Sequence, residues 1–322
     1  MSLLAVLDYL VRFPLAFSHV VLCKRGSMAE QQFTSRQITR EIGCEIRGLD
    51  VRRLTDAAVL AEVKRLIGKH HMLVFKDQKL DAQDLIDFTR YFGEPDSHIL
   101  KQYTHRDHPD VYVISNVEDR QANVNDVSLN WHTDLAYKAH PSAFVILHAE
   151  KVPEVGADTC FASMQRVYKE MTDAEKAKLR GRLATYSFTK LHAKRCKMHP
   201  DAAPLTPQQV AESPDVYHPV LRRHPDTGEE ILYINLPDCA GIEGMPDEEA
   251  LGIVQSLFDR ITDPAHVHRH KWAVGDLVIW DNRTLLHSAS WFDAERYQRR
   301  MLRTCVRGEK PISSVSVASA AE

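Results

Sequence analysis

The chain has 322 residues, a formal net charge of −3 and 44% hydrophobic residues. That composition is ordinary for a water-soluble globular protein, and a charge so near neutrality gives no reason to expect nucleic acid or an anionic membrane as a partner. The 6 cysteines include no CxxC pair; they are too sparse for a disulfide framework and suit a reducing, cytoplasmic setting.

Residues 1–28 are apolar but interrupted by Asp8, Arg12, Pro14 and His19, a poor membrane span. No basic segment precedes the apolar run, as a secretory signal requires. They read as a leader of no catalytic use, followed by one domain over 29–311 and a tail over 312–322. Phe33 to Leu49 reads as strands around a turn, broken at Gly43 and Gly48. Thr55-Asp56 can cap a helix reaching Lys69, and Asp81 a second one ending at Gly93. Short apolar runs at 71–75, 111–114, 144–147, 231–234 and 277–280 read as strands. Gln165 to Leu179 and Glu248 to Arg260 read as helices. Residues 190–216 are basic and proline-rich and read as an irregular insertion able to cover a site. His266, His268 and His270 share one strand parity and are expected on an exposed strand. Many short strands with few helices imply a mainly β domain with flanking helices (α+β) and an antiparallel core.

The strongest chemical signal is Trp131-His132-Thr133-Asp134, read with His287 and the downstream arginines Arg299, Arg300 and Arg303. Two histidines and one carboxylate form the facial triad of non-heme Fe(II) oxygenases. Alternate strand residues share a face, so His132 and Asp134 can reach one metal together. The distant His287 joins them only if two strands meet. An arginine beyond it offers a fixed fork for a carboxylate. Arg299 and Arg303, four apart, share a strand face, and Arg300 points away.

The order of further motifs carries a family resemblance. After Trp131–Asp134 come Gly156-Ala157-Asp158-Thr159, His218-Pro219-Val220, Leu232-Tyr233-Ile234-Asn235, Trp280-Asp281-Asn282-Arg283, His287 and Gln298-Arg299-Arg300. Over roughly residues 33–311 the chain resembles the taurine dioxygenase family of Fe(II)/2-oxoglutarate-dependent dioxygenases. The resemblance implies a double-stranded β-helix (jelly roll). It implies Fe(II) on His132, Asp134 and His287, with 2-oxoglutarate and O2 as co-substrates and with succinate and CO2 released. It places the far carboxylate of 2-oxoglutarate on Thr159 and on Arg299, counted back from Gly308-x-Lys310-Pro311, with Arg300 as the alternative and with Ala157 standing where the family has a second glycine. It places His98 and Arg303 on the substrate, which suits a small anionic molecule, sulfonate- or phenoxyacid-like. Asp238 is a further candidate for the substrate. Because Asp134 is present, hydroxylation or a variant such as desaturation is favoured over halogenation. Two other readings remain at this stage: tailoring of an amino-acid-derived metabolite, and a non-catalytic iron or 2-oxoglutarate sensor. The expected partner is a small-molecule substrate, without nucleic acid or membrane, and a homo-oligomer stays open.

Overall fold

The computed structural model describes residues 18–21, 33–96, 103–117, 129–198 and 203–315. Its strands, in chain order, are β1 (Ser18–Val21), β2 (Phe33–Gln37), β3 (Cys44–Arg47), β4 (Met72–Phe75), β5 (Tyr112–Ser115), β6 (Phe144–Lys151), β7 (Thr159–Ser163), β8 (Leu183–Tyr186), β9 (Val216–Pro219), β10 (Leu221–Arg223), β11 (Glu230–Leu232), β12 (Cys239–Ile242), β13 (His268–His270), β14 (Leu277–Asp281), β15 (Leu285–Ala289), β16 (Arg300–Val306) and β17 (Ile312–Ser313). The helices are α1 (Ala57–His70), α2 (Ala82–Arg90), α3 (Met164–Glu170), α4 (Asp173–Leu179), α5 (Phe188–Met198), α6 (Pro207–Ala211) and α7 (Asp247–Ile261).

Eight strands form the major sheet in the order β1-β2-β3-β4-β14-β6-β16-β5, and β13-β7-β15 form a smaller one. All neighbours in these sheets are antiparallel except β3 and β4. Alternation along each strand divides the core. Leu73, Phe75, Leu277, Ile279 and Leu302 face helices α1 and α2, with Val63, Leu66, Leu85 and Phe88. Met72, Val74, Val278, Trp280, Met301 and Cys305 face the opposite way, onto Phe161 and Leu285 of the smaller sheet. A third cluster packs α3 and α7 against the strands around Tyr186, Leu221 and Leu286. This is the expected double-stranded β-helix with flanking helices.

The helix starts follow their caps. The Asp56 carboxylate accepts from Ala58 N and Val59 N, and Asp81 forms a capping box with Asp84. Three expectations need correction. The helix expected over 165–179 is two, α3 and α4, because Thr172 and Glu175 make a new capping box after the break at Met171. The segment 190–216 is not irregular throughout: it contains α5 and α6, the latter capped by Thr206 with Pro207 at its start. His270 is not on an exposed face; it is buried against Asp276, 3.2 Å away. Among the described residues no helix is long and apolar enough to cross a membrane.

Candidate metal centre

His132 and His287 exchange both backbone hydrogen bonds, at 2.9 and 2.8 Å, in an isolated antiparallel bridge. That bridge brings His287 of β15 to the segment of His132, which lies in no named strand, so the expected meeting of two strands is reduced to a single bridged pair. One nitrogen from each ring and one oxygen of Asp134 lie within 4.8 Å of one another. His132 Nε2 is 3.7 Å from Asp134 Oδ1, and His287 Nε2 is 3.8 Å from Asp134 Oδ2. His132 Nδ1 lies 2.7 Å from the Asn130 carbonyl. An N–H there must be the donor, so the Nε2 lone pair is left facing Asp134. Burial, then the nearby His132, hold the His287 pKa down to about 3. Two imidazoles and a carboxylate on one side of a small space are a donor set that fits Fe(II).

The ligand strand is held by amides. Asn282 Oδ1 accepts from Asp134 N at 2.9 Å, and its Nδ2 donates to the Asp134 and Ser142 carbonyls. Asn235 Oδ1 accepts from Thr133 N at 3.1 Å, and Asn235 Nδ2 donates to Asp238 Oδ1 at 2.6 Å. An amide carries donor and acceptor side by side, so it can pair a backbone segment that belongs to no regular ladder. Asn282 and Asn235 stood in the motifs that carried the resemblance, but nothing in the spacing gave them this role. Asp238 is buried behind them, and burial raises its pKa to about 7 against the pull of Asn235 and Lys194. Trp280 packs on the His287 ring at 4.9 Å, and Phe161 lies beyond it at 6.5 Å.

The arginines separate as strand parity requires. The extra residue between β6 and β16 is Glu150, in β6, because Arg300 pairs with Lys151 and Met301 with Ala149. The alternation along β16 is therefore unbroken. Arg300 turns to Glu150, 2.5 Å away. Arg299 is buried with no charged partner among the described residues, and burial lowers its pKa to about 10. Arg303 lies 3.5 Å from Asp134 Oδ2 and over the Tyr112 ring at 4.8 Å, and its Nε is enclosed without a partner. Burial opposes the charge of Arg303, but Asp134 outweighs it and the pKa is raised. Thr159, on β7, accepts from Trp272 Nε1 at 3.0 Å, which leaves its own O–H free to donate. His98 lies outside the described residues.

His224, Asp226 and Asp281 also bring three ligand-type atoms together. A cation already sits there. Arg283 donates to Asp281 at 2.9 and 2.7 Å and to Asp226 at 2.5 Å, while His224 is 2.9 Å from Asp281.

A double-stranded β-helix carrying two histidines and a carboxylate at such a meeting of strands has the build of a non-heme iron, 2-oxoglutarate-dependent dioxygenase. The description "Taurine catabolism dioxygenase TauD, TfdA family" matches residues 34–305. The alpha-ketoglutarate-dependent 2,4-dichlorophenoxyacetate dioxygenase of Burkholderia sp. (strain RASC) is 27% identical over 270 residues, 80% of this chain and 89% of that protein. The (S)-phenoxypropionate/alpha-ketoglutarate-dioxygenase of Sphingobium herbicidovorans is 29% identical over 280 residues, 86% of this chain and 95% of that one. Among solved structures, AAD-2 in complex with Mn(II) and N-oxalylglycine superposes with a TM-score of 0.72 at 25% identity, covering 87% of this chain and 98% of that one. A taurine dioxygenase from Burkholderia xenovorans gives 0.71 at 25% identity, covering 87% and 93%. The chain belongs to the TauD/TfdA family. It is an alpha-ketoglutarate-dependent dioxygenase, an oxidoreductase that uses Fe(II), 2-oxoglutarate and O2 on a small molecule.

Proposed function

We propose that the enzyme hydroxylates a small anionic organic acid, with Fe(II) on His132, Asp134 and His287. The far carboxylate of 2-oxoglutarate is assigned to Arg299 and Thr159, and the acid group of the substrate to Arg303 and His98. The observation that carries the substrate class is Arg303, whose enclosed Nε has no partner beside Asp134. A sealed guanidinium is costly unless an anion completes it. The two relatives described above are named for 2,4-dichlorophenoxyacetate and (S)-phenoxypropionate, both carboxylates.

When bound, Fe(II) and 2-oxoglutarate supply O2 activation, with succinate and CO2 released and a C–H bond hydroxylated. The chain's own residues orient and exclude. The His132 Nδ1–H on Asn130 fixes which ring nitrogen faces the metal, and Asn282 fixes the backbone of Asp134. The bidentate fork of Arg299 sets the angle of 2-oxoglutarate. Trp280 and Phe161 close the far side of His287 to water. Asp134 occupies the ligand position that a halogenating relative would leave open, so hydroxylation, or desaturation by the same start, is the assigned outcome. Asp238 is assigned a positioning role through Asn235, in addition to its earlier candidacy for the substrate. The domain carrying this activity is assigned to 29–311. A cytoplasmic setting belongs to the same reading: among the described residues Cys44, Cys160, Cys239 and Cys305 are free thiols.

The test follows succinate release with phenoxy acids, sulfonates and their neutral esters. The acids should be oxidised and the esters should not. Arg303→Ala should raise KM for the accepted acid at least tenfold, and Arg303→Lys should restore only part, since a point charge lacks the planar fork. Preference for the esters, or an unchanged KM in Arg303→Ala, would overturn the anionic-substrate reading.

A further inference from the structure

The smaller sheet sets Thr159 beside the metal centre. Across β7 and β15, Phe161 pairs with His287 and Thr159 with Ala289; across β13 and β7, His268 pairs with Phe161 and His270 with Thr159. Directly opposed side chains share a face of a sheet, so Thr159, Phe161, His270 and the metal ligand His287 lie on one side. Ala289 follows His287 by two residues, a step of roughly 7 Å along the strand. Thr159 is therefore within reach of a five-carbon dicarboxylate whose other end is on the metal.

Trp272 follows β13 directly and is buried with Phe161, Trp280 and Met301. Its ring stands edge-on to His270 at 4.6 Å and 88°. The turn after it is pinned by Asp276, which accepts from Ala273 N at 3.0 Å, pairs with Lys76 and lies 3.2 Å from His270 Nε2. So held, the indole donates Nε1–H to Thr159 Oγ1 at 3.0 Å. A buried indole needs an acceptor, but the choice of this one has a consequence. An indole N–H only donates, and a hydroxyl has one proton and two lone pairs. With one lone pair taken by Trp272, the Thr159 proton must point elsewhere. Among the described residues no acceptor meets it, and a buried donor left unpaired is costly.

We propose that Trp272 is a positioning residue for the co-substrate, which turns the Thr159 hydroxyl proton toward the far carboxylate of 2-oxoglutarate. The proposal rests on the assignment of that carboxylate to Thr159 and Arg299 and deepens it. The indole makes Thr159 a donor before the co-substrate arrives, so the pocket is set for an acceptor, which a carboxylate supplies. His270 and Asp276 serve the same end by fixing the indole.

The test is calorimetric binding of two probes to the protein loaded with Mn(II). N-oxalylglycine carries both carboxylates, whereas N-methyloxamate keeps the metal-chelating end and lacks the far one. Trp272→Phe removes the N–H and keeps an aromatic ring against His270. It should weaken N-oxalylglycine about fivefold, less than the full worth of a hydrogen bond to a charged group because Thr159 can still turn to it unaided. N-methyloxamate should bind as to the wild type. Trp272→His, the second variant, keeps a ring N–H and should lie between. In a Thr159→Val background, which has no hydroxyl to turn, Trp272→Phe should cost nothing further. In turnover the loss should fall on KM for 2-oxoglutarate, with kcat kept. N-oxalylglycine affinity unchanged in Trp272→Phe but reduced in Thr159→Val would overturn the proposal and leave the assignment of Thr159 standing. Equal losses for both probes would also overturn it, showing general damage to the site. If neither Thr159→Val nor Arg299→Ala weakens N-oxalylglycine, the co-substrate assignment falls and the proposal with it.

Discussion

Arg283 and Arg299 are both 5% exposed, yet their surroundings are opposite. Arg283 is encircled by protein anions. Asp281 and Asp226 hold it at 2.5 to 2.9 Å, and although burial opposes its charge, Asp281 drives the pKa up. Arg299 meets no carboxylate among the described residues, and burial draws its pKa down to about 10. A buried charge that serves the fold is neutralised by the fold, because an unpaired one is expensive. A buried charge left open marks a place where an incoming molecule supplies the missing anion. The same contrast separates Arg300, paired with Glu150, from Arg299 beside it in the chain.

The most damaging change to the open end removes the metal that would hold the other end of 2-oxoglutarate. His287→Ala or His132→Ala should abolish coupled turnover, and the thermal stabilisation given by Mn(II) with N-oxalylglycine should disappear with it. Wild-type iron binding and turnover in either variant would end the ligand assignment. Next comes the closed end. Arg283→Met leaves Asp281 buried and short of its main counter-ion, and breaking such a pair costs about 3–5 kcal/mol. Denaturant melts of the ligand-free protein should show that loss, while affinity for N-oxalylglycine should stay within about twofold. Arg299→Ala should do the reverse. Losing a buried charged partner costs about 2–5 kcal/mol of binding, a rise in Kd of roughly thirtyfold or more, with little change in the melt of the ligand-free protein. Arg300→Ala should be milder, and the opposite ranking of Arg299 and Arg300 would exchange their roles. The smallest effect is expected from deleting residues 1–27. That removes β1, which among the described residues pairs with β2 at the rim of the major sheet. Folding and turnover should survive, and a loss of soluble protein would move the domain boundary.

The candidate metal ligands were readable from residue type and spacing, but the strand expected to aim His132 and Asp134 is not there. His132 makes an isolated bridge to His287 and Asp134 opens a turn, so the amides of Asn282 and Asn235, rather than strand alternation, hold the pair. Parity put Arg299 and Arg303 on one face and Arg300 on the other, but it left open which of Arg299 and Arg300 meets 2-oxoglutarate. Helix starts were readable at Asp56 and Asp81, where a cap precedes an apolar face. The break at Met171 was missed although Thr172 and Glu175 spell a capping box, because apolar spacing continues through it. Helix α5 was missed because its basic, mixed face and the prolines after it hide a short amphipathic pattern. The roles of Asn235 and Asn282 leave no periodic trace: an amide bonding to distant backbone obeys neither the strand nor the helix repeat. His270 was misplaced because its burial depends on Asp276, which lies beyond the strand on which it was judged.

The bulge at Glu150 also bears on how such an enzyme can change over time. Because the surplus residue lies in β6, β16 keeps a strict two-residue rhythm from Arg300 to Val306. Leu302 and Val306 are committed to the packing of α1 and α2, and Thr304 bonds Thr89 of α2 at 2.7 Å. Arg299, Met301, Arg303 and Cys305 carry the opposite parity. Of this second set Met301 and Cys305 are packed onto Phe161 and Leu285. Mutations that retune substrate choice therefore have their room at Arg303, and at Arg299 just ahead of the strand, without disturbing the packing recorded in the letters between. An inserted or deleted residue in β16 itself would exchange the two sets at once. This strand should thus tolerate substitution far better than it tolerates a change of length.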